Sequence, residues 1–149
     1  MIKYCKVQVQ NKMEQKDYLL REIEKLTQLL IVLTNKVSGL NSVNFEIGIK
    51  QINAELITQF DLSLDILKSI DKAELIERIK NIDKANIELF VELLSKIIEK
   101  ISELKKEKEY STNELASKGV MLIEFLDKTT EIFSIERMNL KTKLLSGKS

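Results

Sequence analysis

The groups in this sequence that could do chemistry are carboxylates, lysines, three arginines and three tyrosines, because it contains no histidine. That absence removes the usual general base near neutral pH, the commonest transition-metal ligand and every Ser-His or Cys-His nucleophile pair. Glu88, Glu92, Glu99 and Glu103 alternate with Lys84, Lys96 and Lys100 at helical intervals. A carboxylate-only metal or acid-base site needs glutamates facing inward from opposed helices. These fall on the polar face of one predicted helix, where Glu92 and Lys96 have the spacing of an ion pair. Lys105, Lys106 and Lys108 are interrupted by Glu107 and Glu109 and read as a solvated helix end. Gly147-Lys148-Ser149 echoes the end of a phosphate-binding loop but lacks its earlier glycine, preceding strand and following helix. Met121, Phe125 and Phe133 read as core residues rather than as a pocket lining.

Asp17, Arg21, Glu24 and Gln28 share one face of a predicted helix, with Asp17 and Arg21 spaced as an i, i+4 pair. Arginine stands at only Arg21, Arg78 and Arg137 among 24 basic residues, so each is a place where a planar fork gripping a carboxylate or backbone carbonyls is expected. The same scarcity speaks against nucleic acid, as does a net charge of +1 with no strongly basic half. No metal or other cofactor is implied. The lone Cys5 fits a reducing cytoplasm. The longest nearly apolar stretch, Leu26 to Leu33, is far below the ~20 residues of a membrane span, and residues 1 to 12 lack the apolar core of a signal peptide.

Zero prolines, four glycines and a persistent three-to-four spacing of Leu and Ile predict an all-α fold, a single helical bundle of six to seven helices. Residues 1–12 follow no sustained helical period and read as an N-terminal extension or arm, with Met13 as an alternative start and residues 13–149 as the bundle domain. The first helix is expected from about Lys12 to Val37, its seam formed by Leu19, Ile23, Leu26, Leu30, Leu33 and Val37, with Gly39 as a left-handed cap. A second helix, about Ser42 to Phe60, contains Gly48 as a point of close approach. Two short helices follow between Ser63 and Ile82, the second opened by an Asp71–Glu74 capping box. The fifth helix, Lys84 to about Lys108, carries Ile87, Val91, Leu94, Ile98 and Ile101, and is expected to pack antiparallel to the first. Ser111 with Glu114 predicts another capping box, and Ser134 caps the last helix, Ile135 to about Leu145.

Behind Met13, Lys16-Asp17-Tyr18-Leu19-Leu20-Arg21-Glu22-Ile23-Glu24-Lys25 resembles the opening of an uncharacterised family of small bacterial helical proteins. Asp61-Leu62-Ser63-Leu64-Asp65-Ile66-Leu67 is similar to that family's Leu-rich middle, and Phe133-Ser134-Ile135-Glu136-Arg137-Met138 to the start of its last helix. The resemblance implies a bacterial origin, helical hairpins and a weakly tetratricopeptide-like C-terminal part. No activity comes with it. The sequence therefore predicts a non-enzymatic interaction or scaffold protein, with a small-ligand binder or enzyme using carboxylate, Lys or Tyr groups between helices as the alternative. Its expected partner is another protein or a second copy of itself, because Leu20 and Ile31 on one flank of the first helix, with Leu29 and Val32 towards the other, exceed the single apolar stripe of a peripheral helix.

Overall fold

The computed structural model describes residues 2–146, with side chains from residue 16 onward. The Gly147-Lys148-Ser149 tail, expected to fray, lies outside the described residues, as do the side chains of the expected arm. Among the described residues eight helices follow one another: α1 (Ile2–Ser38), α2 (Phe45–Phe60), α3 (Leu64–Ser69), α4 (Lys72–Ile79), α5 (Lys84–Glu103), α6 (Glu107–Tyr110), α7 (Thr112–Thr130) and α8 (Ile135–Ser146). There is no strand among the described residues. The fold is all-α, and with the single turn α6 set aside its seven helices match the upper count predicted.

Helix α5 is the axis of the bundle. Its Ile87, Phe90, Val91, Leu93, Leu94, Ile97, Ile98 and Ile101 are all buried, so its apolar surface is far wider than one stripe and meets neighbours on several sides. Against it lie α1 through Leu30, Leu33 and Val37, α7 through Leu115, Leu122 and Leu126, and α8 through Leu140 and Leu144, with α2 reaching it at Phe60. The Phe60 and Phe90 rings meet at 5.2 Å. On α7, Gly119 lets Leu144 of α8 approach so closely that a Cβ there would stand 2.9 Å from its Cδ1. Gly48 does the same for Leu40, as its predicted role required.

Two polar contacts fix the direction of packing. Asn86, near the start of α5, donates to the Ile23 carbonyl, whereas Lys100, near its end, donates to the Ser38 carbonyl at the end of α1. Helices α1 and α5 therefore run parallel, which corrects the antiparallel expectation. The physical reason is connectivity: α2 brings the chain back, α3 and α4 turn it at the base, and α5 rises beside α1 again. A 4, 3, 4, 3 spacing is blind to direction.

Several element ends differ from the sequence reading. Helix α1 begins at Ile2 rather than near Lys12. Apolar periodicity reports a packed face, while Lys, Gln and Met favour a helix with or without one. Gly39 is not left-handed; α1 closes instead through short-range bonds from the Gly39 and Leu40 amides to the Lys36 and Val37 carbonyls, both 3.1 Å. Among the described residues the left-handed positions are Asp61, Lys105, Ser111 and Glu131, all non-glycine. At Lys105 the turn is a Schellman motif, with Lys106 N bonded to Ile101 O and Lys105 N to Ser102 O, so α5 stops short of Lys108. Ser111, itself left-handed, makes no side-chain cap and the second capping box is absent. Asp71 does accept from Glu74 N at 2.8 Å, and Ser134 from Arg137 N at 3.2 Å, as predicted.

Candidate interaction surface

Arginine scarcity resolves into two structural clamps and one exposed side chain. Arg78 donates to the Asp61 carbonyl at 2.7 Å and to Glu74 at 3.1 Å, tying down the left-handed end of α2. Arg137 is buried: its Nε donates to Asp127 at 2.7 Å, and its Nη2 reaches Thr130 and the Ile132 carbonyl at the end of α7. Arg21 is exposed on α1 and, among the described residues, forms no ion pair with Asp17.

The remaining buried polar groups serve packing. Lys118 donates to the carbonyls of Leu67 at 2.9 Å, Lys68 at 3.3 Å and Ile70, so a cation sits at the C-terminal end of α3, where the helix dipole favours it. Tyr110 packs edge-on against Phe45 at 5.2 Å, and burial pushes its phenol above the ordinary range. Glu88 is not on the solvated face expected of it. One carboxylate oxygen is buried without a hydrogen-bond partner, and burial raises its pKa against the opposing pull of Arg137. Glu92, Glu99 and Glu103 are exposed, with Lys96 and Lys100 pairing to Glu99 and Glu103 rather than Lys96 to Glu92. Among the described residues no cluster of carboxylate or thiol groups is arranged to hold a metal ion. Nor, among them, is any helix long and apolar enough to cross a membrane.

What remains unaccounted for is the place where α1 leaves the bundle. The last polar staple is built from Thr27, whose hydroxyl lies 2.6 Å from Asn86 Oδ1 and 2.9 Å from the Ile23 carbonyl, and from Asn86 Nδ2, which donates to that carbonyl at 3.1 Å. Asn86 is fully buried and was invisible in the sequence, because nothing in its neighbourhood marks a buried amide. Before Ile23, every residue from Lys16 to Glu22 is exposed. Leu19, predicted as part of the core seam, is 60% exposed, with Tyr18 at 62% and Leu20 at 53%. The seam thus continues past the bundle that covers its later part. At 100° per residue, these three consecutive side chains span an apolar arc of about 200°, leaving Asp17 and Arg21 on the opposite side. Beside the arc opens a cleft of about 620 Å³ lined by Leu19, Ile23, Leu26, Ile82, Asn86 and the charged Glu22, Asp83 and Lys84, among others.

The predicted surface residues Asp17, Leu20, Arg21, Ile31 and Val32 are all exposed, but they do not form one patch. Ile31 and Val32 are separated around the helix by the polar Gln28 and Asn35, while Leu20 belongs to the apolar arc. A second exposed apolar group, Ile132, Phe133, Ile135 and Met138, lies at the α7–α8 corner, where Phe133 was expected in the core. Phe125, by contrast, packs against the core as predicted. No family model matches this chain, and no curated protein or solved structure matches it either.

Proposed function

We propose that this protein is a non-enzymatic interaction module of the bacterial cytoplasm, which grips another protein chain through the end of α1 that precedes Ile23. The observation that carries the reading is the run Tyr18-Leu19-Leu20, exposed on the continuation of a seam that is half-buried at Ile23 and Leu26 and fully buried from Leu30. Consecutive large apolar side chains left exposed on a helix form the kind of contiguous patch that marks an interaction site. The competing reading, a small-ligand site using carboxylate, Lys or Tyr groups, requires those groups to converge on an enclosed cavity. Lys118 spends its donors on carbonyls and Tyr110 packs on a ring, which favours interaction over chemistry. Affinity capture from the source cell, comparing the natural chain with Leu19→Glu, tests the proposal: a protein retained by the first and lost by the second is expected. Equal retention by both would remove α1 as the binding element.

A further inference from the structure

We infer that the α7–α8 corner is a proton-sensitive clamp, closed while the Glu88 carboxyl is protonated and loosened when it ionises and competes for the buried guanidinium of Arg137. The inference does not depend on the α1 surface proposed above. The end of α7 is held from two sides. From α5, Lys84 donates to the Thr129 carbonyl at 3.4 Å. From α8, Arg137 donates to Asp127 at 2.7 Å, to the Thr130 hydroxyl at 3.3 Å and to the Ile132 carbonyl. Glu88 follows Lys84 by four residues on α5, about one turn along the helix.

The Glu88 Oε1 atom is buried and has no hydrogen-bond partner, while the Nε and Nη2 donors of Arg137 are already spent. The carbonyl oxygen of a neutral acid bears such isolation at far lower cost than a carboxylate oxygen does, so a proton is what suits Glu88 to this place. The surrounding charges act in the same balance. Burial raises the carboxyl above 4.5, Arg137 of α8 pulls it down, and Glu92 of α5, Glu136 of α8 and Asp127 of α7 push it up again.

Ionisation changes which carboxylate the guanidinium serves. The Asp127 side chain is 50% exposed, so water can take up its charge, whereas the buried Glu88 oxygen must find a donor inside the protein. Arg137 turning to Glu88 lets go of Asp127 and of the Ile132 carbonyl, and the start of α8 comes free of the end of α7. Since the closed clamp binds the proton more tightly than the open one, it is held below the carboxyl's ordinary pKa and loosens as pH rises through the raised value. Ile132, Phe133, Ile135 and Met138 sit on the connection and the first turn of α8, so the clamp governs how that exposed apolar group is presented. Helix α8 is the last in the chain, and its release does not require the rest of the bundle to open.

Hydrogen exchange of the full chain, read by mass spectrometry and corrected for the intrinsic pH dependence of amide exchange, tests the clamp. Between pH 4 and pH 7 the amides of α8 should lose protection while residues 86–101 of α5 keep theirs. In Glu88→Gln, whose side chain cannot ionise, protection of α8 should be the same at both pH values. A second reading needs no substitution: in the natural chain, the NMR signals of the Glu88 carboxyl carbon and of Arg137 Nε should titrate with one midpoint. Equal loss of protection in α5 and α8 would make the effect global and overturn the clamp. So would protection of α8 that does not change with pH, a pH dependence that survives Glu88→Gln, or separate midpoints for Glu88 and Arg137.

Discussion

Single buried polar groups have consequences that solution experiments can resolve. Lys118 satisfies carbonyls of Leu67 and Ile70 that lie in the interior, so Lys118→Met leaves those acceptors without a donor. A loss of about 1–3 kcal/mol is expected, measured by urea denaturation, although the substitution adds an apolar side chain to the core. Glu88 behaves differently, because its folded-state pKa is raised above 4.5, first by burial and then by the negative charges of Glu92, Glu136 and Asp127, with Arg137 acting in the opposite sense. A carboxyl that binds its proton more tightly when folded gives stability that is present below its unfolded pKa and is lost as pH rises through the folded one. Glu88→Gln should therefore raise Tm at pH 7 relative to Tm at pH 4, compared with the natural chain, and an unchanged pH dependence would show that this carboxyl adds nothing to it. Neither group was legible in the sequence: Lys118 lies between Ser117 and Gly119 in a lysine-rich chain, and Glu88 shares the helical spacing of exposed glutamates.

Among the elements, apolar spacing revealed those that pack and missed the places where they stop. The seam of α5 and the two short helices between Ser63 and Ile82 follow directly from where Leu and Ile fall, and Asp71 and Ser134 announce their caps because a side-chain oxygen must take up a free amide. Helix ends at Asp61, Lys105 and Glu131 were silent, since the left-handed residue there is charged rather than glycine and the restraint comes from distant side chains such as Arg78 and Arg137. Lys105 offers the cleanest test, being exposed with φ at 58°. Lys105→Gly should stabilise the protein by roughly 0.5–1 kcal/mol by relieving the left-handed backbone, as judged from the denaturation midpoint at constant slope. In the core, Leu94→Ala should cost about 2–5 kcal/mol, and Leu26→Ala clearly less, because Leu26 is only half-buried at the edge of the cleft. The candidate surface was half legible: Leu20, Ile31 and Val32 were expected outside, but Leu19 had the same spacing as buried residues, and only the limits of α5 decide that it emerges.

Taken whole, the molecule is a bundle with a long first helix that outruns its neighbours. A chain beginning at Met13 should keep its Tm within about 3 °C at low concentration, since the described core begins at Leu30, and calorimetry on the shortened chain checks this. The parallel alignment of α1 and α5 also bears on how the molecule comes into being. Thr27 and Asn86, which join the two helices, are 59 residues apart in the chain. A ribosome adding roughly 5–20 residues each second needs about 3–12 s to make that stretch. Throughout that interval the nascent α1 presents Leu30, Leu33 and Val37 without the helix that finally covers them, whereas α5, α7 and α8 meet their neighbours almost as they emerge. Synthesis order thus exposes the first-made helix longest, and makes it the segment of the newborn chain most open to chaperones or to a neighbouring polypeptide on the same messenger.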